Sequence, residues 1–149
     1  MTVFPIAPAA SRYLWFVVPV SVILIGLVAL FIVSVRGAHA SSFEVTADGL
    51  RLRGDLYSRT IPRSQIDVTG ARRVNLTSET GLRPVSRRLG TALPGYLSGW
   101  FRLANGEKAL LYLTDRAKAV YVPTTAGYSL LLSPADPDAF VATLRSRLR

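Results

Sequence analysis

The sequence predicts an N-terminal transmembrane helix followed by a mainly β domain, in which antiparallel strands form a sandwich or partly open barrel capped by one C-terminal α-helix. Three observations predict this fold class. Residues 14–35 form an uncharged apolar run. From Phe43 onward, segments of alternating polarity are separated by turn signals about every 8–12 residues, as in small all-β domains. Near Asp136 the apolar period changes from that of a strand to that of a helix.

The apolar run reads LWFVVPVSVILIGLVALFIVSV and is long enough to cross a bilayer. A helix of this length spans about 30 Å, the thickness of a hydrocarbon core. We predict a short flank over residues 1–13, a transmembrane helix over 14–35 and a linker over 36–42. The membrane-interface residues predicted from amphipathic and basic character are Arg12, Tyr13, Trp15 and Arg36.

A cleaved secretory signal is the alternative interpretation of the same segment. Ala38-His39-Ala40 resembles a small-x-small cleavage site. The apolar run is, however, longer than the ~7–15 residues of an ordinary signal core. The sequence therefore favours a retained span. Positive charge close to the membrane favours the cytoplasmic side, and Arg36, Arg51 and Arg53 against Arg12 give a slight lean toward a cytoplasmic C-terminal domain.

The remaining residues, 43–149, suffice for one small domain with its own core. The chain has 149 residues, a net charge of +9 and no cysteine, which excludes disulfides and thiol chemistry. Residues 51–88 hold nine arginines and three acidic residues. Such a basic segment beside a membrane indicates attraction to anionic lipid headgroups or merely a solvated surface. Nucleic acid is disfavoured because no recognised binding motif is present.

The strand pattern predicts an antiparallel meander. Asp48-Gly49 and Asn105-Gly106 are the strongest hairpin turn signals. Residues 77–95 contain several glycines and prolines and are predicted to be irregular. The predicted extended segments are 43–48, 50–53, 57–60, 68–76, 96–103, 108–114, 119–123 and 128–133, with a turn or single helical turn over 62–66.

The C-terminal helix is predicted over about residues 136–148. Ser133 and Asp136 are both candidate N-caps, and Pro137 suits the first helical position. One apolar stripe is expected on this helix, formed by Phe140, Val141, Leu144 and Leu148.

The segment Leu82–Leu144 contains a set of motifs at fixed spacings: Leu93-Pro94-Gly95-Tyr96, Gly99-Trp100-Phe101, Asn105-Gly106, Val122-Pro123-Thr124 and Asp136-Pro137. Through these motifs the segment resembles a family of bacterial membrane-tethered pleckstrin-homology-like domains. The resemblance implies strands closed by one terminal helix, and a membrane setting, here the bacterial inner membrane. It implies no particular ligand or reaction.

No catalytic, cofactor-binding or metal-binding residue is predicted. The single histidine, His39, lies in the linker, and no thiol or second imidazole is available for a nucleophile–base pair. Carboxylates do not cluster as a metal site requires. We therefore predict a non-enzyme and keep an enzyme of unrecognised type as a distant alternative.

The sequence leaves two binding roles open. The first is a membrane-bound domain that contacts a protein partner or a second copy of itself, with Trp100 as either a contact residue or a packing residue. The second is recognition of anionic lipid headgroups. Its candidate residues are Arg51, Arg53, Arg87 and Arg88.

Overall fold

A computed structural model describes residues 14–54 and 56–148. The chain divides into two compact units, Met1–Arg36 and Gly37–Arg149. The β-rich part with its terminal helix lies in the second unit, as the sequence predicts.

Helix α1, Leu14–Ala40, contains the predicted span. Its segment Leu14–Val33 has a mean hydropathy of 3.0 and no buried residue, so it is long and apolar enough to cross a membrane. A signal sequence near the N-terminus would share this character. The helix continues to Ala40 through much of the predicted linker. Of the predicted interface residues, Trp15 and Arg36 are exposed on α1, whereas Arg12 and Tyr13 lie outside the described residues.

The described residues form nine strands in two sheets. The strands are β1 (Ser42–Thr46), β2 (Gly49–Arg53), β3 (Arg59–Pro62), β4 (Arg72–Val74), β5 (Pro84–Leu93), β6 (Tyr96–Leu103), β7 (Lys108–Leu113), β8 (Ala119–Pro123) and β9 (Ser129–Leu132). The first sheet has the order β1-β2-β3, and the second has the order β4-β8-β9-β7-β6-β5. The two sheets do not close into a barrel.

The predicted meander is wrong at one point. Strand β9 pairs parallel with β7 and antiparallel with β8. The β8–β9 hairpin therefore folds back so that β9 lies between β7 and β8. This insertion buries β9 on both faces: Leu130 and Leu132 belong to one core cluster, and Leu131 belongs to the other.

Two core clusters lie on opposite faces of the six-stranded sheet. The first cluster joins this sheet to the three-stranded sheet and to the terminal helix through Leu50, Ile61, Tyr112, Val120 and Leu144, among others. The second cluster includes Leu76 and Leu82, which the segment between β4 and β5 contributes.

Helix α2, Pro137–Leu148, covers the first cluster and confirms the predicted helix and its apolar stripe. The Asp136 carboxylate accepts hydrogen bonds from the backbone N–H groups of Asp138 (3.1 Å) and Ala139 (2.9 Å), so Asp136 is the N-cap. Ser133 instead donates to the carbonyl of Asp115. Four apolar side chains of the stripe are buried: Phe140, Val141, Leu144 and Leu148.

The prediction of irregular structure over residues 77–95 is wrong. Residues Pro84–Leu93 form β5, the longest strand, at one edge of the six-stranded sheet. Before it, a loop is held by polar contacts: Arg83 Nε donates to the Leu76 carbonyl (2.6 Å), and Arg72 pairs with Glu79 (2.7 Å). These contacts hold Leu76 and Leu82 over the second core cluster.

We expect the Glu79→Gln variant to lose part of the acid sensitivity of folding. The Arg72 guanidinium donates to the Glu79 carboxylate and lowers its pKa below the ordinary 4.5. A lowered pKa stabilises the fold while the group is ionised, and this contribution disappears as pH falls below about 4.5. Because both side chains are partly exposed, the loss is below about 1 kcal/mol. Denaturant midpoints measured from pH 3 to 7 test this.

The Arg72→Gln variant is the matched control because it removes the same ion pair from the other side. It should flatten the profile in the same direction but less completely, because the Asn75 backbone N–H still donates to Glu79 and lowers its pKa. Asp67 remains in both variants, and its pKa is lowered chiefly because the Thr69 hydroxyl donates to it. An unchanged profile in both variants would contradict the assignment.

Candidate functional site

Two half-buried aromatic side chains pack against the first core cluster, and basic side chains lie over their rings. Trp100 on β6 and Tyr128 before β9 meet edge to face, with ring centroids 5.0 Å apart. The guanidinium carbon of Arg59 lies 5.2 Å from the Trp100 centroid and 5.8 Å from that of Tyr128. Lys108 Nζ lies 4.3 Å from the Trp100 centroid. These four residues form the aromatic–cation cluster, and each cation–π contact contributes about 0.5–1 kcal/mol at such an accessible position.

An open cavity of about 400 Å³ lies beside this cluster. It falls in the size range of about 300–1,000 Å³ that is usual for small-molecule sites. Three of its lining residues are cations and three are apolar. The residues that define this β5–β7 cavity are Arg88, Leu89, Trp100, Phe101, Arg102 and Lys108.

The strand period and one hairpin place the cations of the cavity. Trp100 and Arg102 are two residues apart on β6 and therefore share a face of the sheet. The turn at Asn105-Gly106, confirmed between β6 and β7, sets a register in which Lys108 lies directly opposite Arg102. Residues of like charge in this arrangement destabilise a sheet.

A β-bulge adds the third cation. On β5, Arg87 pairs with Phe101 and Leu89 pairs with Trp100, so the register shifts and Arg88 is the extra residue. Bulges redirect side chains and are common beside functional sites. Here the extra residue lines the cavity.

Two facing glycines bring β5 and β6 together just beyond the bulge. Gly90 pairs with Gly99, and their φ angles are +152° and +112°. A Cβ atom on Gly99 would lie 2.4 Å from the Leu89 carbonyl oxygen and 2.6 Å from the Gly90 Cα atom. Next to this glycine pair, Leu89 pairs with Trp100, and both residues line the cavity.

Among the described residues, no acidic partner forms an ion pair with Arg88, Arg102 or Lys108, so the cavity carries uncompensated positive charge. Ion pairs elsewhere in the described residues include Arg53–Glu44, Arg72–Glu79 and Arg73–Asp138. None involves the cations of the β5–β7 cavity. Three positive charges line this one cavity, and they would attract an anion.

The acidic neighbour Glu107 is engaged elsewhere. Its Oε2 atom accepts hydrogen bonds from the Tyr121 hydroxyl (2.9 Å) and from the buried Ser129 hydroxyl (3.0 Å). Burial and this contact with Glu107 raise the pKa of Tyr121. This network fastens the start of β7 to β8 and β9.

The structure separates the four arginines predicted to bind anions. Arg51 and Arg53 are exposed on β2 of the three-stranded sheet, and Arg53 pairs with Glu44 at 3.3 Å. Arg87 and Arg88 are exposed on β5 of the six-stranded sheet. Of the four, Arg88 lines the β5–β7 cavity. Trp100, for which the sequence allows a packing role or a contact role, packs against the first core cluster and also lines this cavity.

Sequence reasoning missed Arg59, Arg102, Lys108 and Tyr128. The alternation on β6 and the Asn105-Gly106 turn contain enough information to predict that Arg102 faces Lys108 beside Trp100. The position of Arg59 depends on the packing of one sheet against the other, which no local pattern shows. Within residues 14–54 and 56–148, no group of three or more His, Cys, Asp or Glu could hold a metal ion.

Strands in two sheets, followed by one helix that covers the shared core, define a pleckstrin-homology-like (PH-like) domain. This class generally serves as a non-catalytic binding module. The profile of the bacterial PH domain matches residues 41–148, and the chain belongs to this family. No curated protein and no solved structure matches the chain.

Proposed function

We propose that this chain is a single-pass membrane protein whose PH-like domain binds a partner protein through the free edge of β5. The partner contributes an extended acidic segment that adds a strand to the six-stranded sheet. One observation carries this proposal: the edge strand has ten residues and exposes two apolar side chains, Val85 and Leu89, by 62% and 61%. Long edge strands with exposed apolar side chains are templates for an added strand. The bulges of β5 at Val85 and Arg88, together with its arginines, protect this edge from indiscriminate pairing and favour an acidic partner.

Charge complementarity supports an acidic partner. Residues 37–149 hold sixteen basic and nine acidic residues, a net charge of +7. On β5 itself, Arg87 and Arg88 lie between the two exposed apolar side chains. A second copy of the domain would have the same sign of charge, so an acidic segment fits this edge better.

Anionic headgroup recognition through the Arg-rich region 51–88 has less support. Its arginines belong to two different sheets, and Arg53 already has an acidic partner in Glu44. The chain offers no nucleophile–base pair with cysteine or a second histidine, and a PH-like domain favours binding over catalysis.

Site-specific photocrosslinking in membranes tests the β5 proposal. A photoreactive residue at Val85 should capture one protein through an acidic segment, whereas the matched residue at Arg73 on the opposite edge strand should not. The captured segment is then synthesised, and its affinity for the full-length protein should fall with salt and on replacement of its acidic residues. Capture of the chain's own copy, or equal capture from both edges, would contradict the proposal.

Membrane anchoring is expected to survive alkaline washing. The apolar segment Leu14–Val33 should keep the full-length chain in the pellet after carbonate extraction. In the Gly26→Arg variant, a charge at the helix centre costs about 2.5–3.5 kcal/mol of insertion free energy, so a larger share of the chain should be extracted. The mass of the retained protein must correspond to all 149 residues, because cleavage after Ala40 would indicate a signal sequence.

We propose that the domain faces the cytoplasm, since Arg36, Arg51 and Arg53 follow the apolar segment and Arg12 alone precedes it within the N-terminal flank. A reporter fused after Arg149 that is active only in the cytoplasm should be active. Activity of a reporter restricted to the periplasm would reverse the orientation.

A further inference from the structure

We propose that the β5–β7 cavity binds a phosphate group attached to an apolar or aromatic substituent. Such an organophosphate is a different ligand from the protein segment proposed for the β5 edge. Arg88, Arg102 and Lys108 would hold the phosphate, and Leu89 and Trp100 would contact the substituent.

The lining argues for a multiply charged oxyanion. Three positive charges line one cavity, and a single carboxylate would neutralise only one of them. Planar guanidinium groups bind phosphate oxygens in pairs, and an ammonium adds a mobile point charge. The volume of about 400 Å³ exceeds what a bare phosphate fills and leaves room for the substituent.

The pairing of β6 with β7 indicates that the fold does not require the positive charges of Arg102 and Lys108. Arg102 faces Lys108 directly, and like charges in this position reduce the stability of the sheet. Within the described part of the chain, neither Arg102 nor Lys108 forms an ion pair that would neutralise its charge. A bound anion would remove the repulsion, so the ligand should stabilise the domain.

Trp100 provides the readout. Lys108 Nζ lies 4.3 Å from its ring centroid, and a phosphate that draws the ammonium away should change the indole fluorescence. The chain contains two tryptophans, so the Trp15→Phe variant isolates the signal of Trp100. Inorganic phosphate and phenyl phosphate are titrated into this full-length variant in non-ionic detergent. Sodium chloride at equal ionic strength measures simple screening.

We expect a saturable change, with phenyl phosphate binding more tightly than inorganic phosphate. Arg102→Gln should weaken binding about tenfold, because it removes one charge-assisted contact. Lys108→Gln should abolish the Trp100 signal, because it removes the ammonium that the phosphate displaces from the indole ring. Lys118→Gln is the matched control: it removes one lysine charge from an exposed position outside the cavity. A response that chloride reproduces, or an equal loss in Lys118→Gln, would overturn the proposal.

Stability without ligand distinguishes a binding role from a structural one. If Arg102 serves ligand binding, Arg102→Gln should unfold at the same denaturant concentration as the parent protein or a higher one. A lower midpoint in Arg102→Gln would identify this arginine as structural and would overturn the proposal. Lys108→Gln is not used in this comparison, because it also removes the cation–π contact with Trp100.

Vesicles distinguish the two sources of the phosphate. The Trp15→Phe protein is reconstituted in phosphatidylcholine vesicles with and without phosphatidylglycerol. A Trp100 signal that requires phosphatidylglycerol and disappears in Arg102→Gln identifies a lipid headgroup. A response to phenyl phosphate in pure phosphatidylcholine identifies a soluble organophosphate. A response in neither arm rejects the site, whatever the result of crosslinking at Val85.

Discussion

Replacing Gly99 by alanine is expected to lower the free energy of unfolding by roughly 2–4 kcal/mol, from backbone strain and overpacking together. The φ angle of +112° is strained for any L residue. The added methyl group would also lie 2.4 Å from the Leu89 carbonyl oxygen, and backbone atoms cannot move aside cheaply. The measurement is denaturant unfolding of the full-length protein in detergent, followed by Trp100 fluorescence in the Trp15→Phe background.

Gly81→Ala is the matched control. A Cβ atom at Gly81 meets nothing within 4 Å, and its backbone does not adopt the positive φ region. The added methyl group should therefore be neutral or stabilise by up to about 1 kcal/mol through the unfolded state. Equal midpoints for the two variants would show that β5 and β6 do not approach as closely as the structure has them.

The same glycines explain why the sequence did not reveal β5. The glycines and prolines of residues 77–95, Gly90 among them, predict an interruption of any long element. Glycine at position 90 also permits a close backbone approach, but local sequence does not show that Gly99 is its partner. The bulge at Arg88 also hides the strand, because an extra residue interrupts the alternation of polar and apolar positions on which strand prediction depends. By contrast, β8 and α2 follow undisturbed periods, and both were predicted almost to the residue.

The sequence predicts the part of the candidate site that lies on the β6–β7 hairpin. The sequence singles out Trp100 and predicts the Asn105-Gly106 turn that places Lys108 opposite Arg102. Closeness in sequence also suggests that Arg51 and Arg88 share one basic surface, whereas the structure places them on two different sheets. Placing Arg59 beside Trp100 requires the packing of β3 against β6, a contact between residues 41 positions apart.

Leu131→Ala is expected to destabilise the domain by about 2–5 kcal/mol, the usual cost of removing a fully buried leucine. Leu131 is 0% exposed and lies on β9, between β7 and β8, in the second core cluster. Strands on both sides are hydrogen-bonded to β9, so the backbone cannot move in to fill the space left by the side chain. Unfolding midpoints measured as for Gly99→Ala test the value.

Val85→Ala separates the demands of the fold from those of binding. Its side chain is 62% exposed on β5, so its truncation should change the unfolding free energy by less than about 0.5 kcal/mol. Binding of the captured partner segment should nevertheless weaken, since this apolar surface is what the added strand covers. A large loss of stability in Val85→Ala would mean that the chain itself covers this side chain, and the edge would then not be free for a partner.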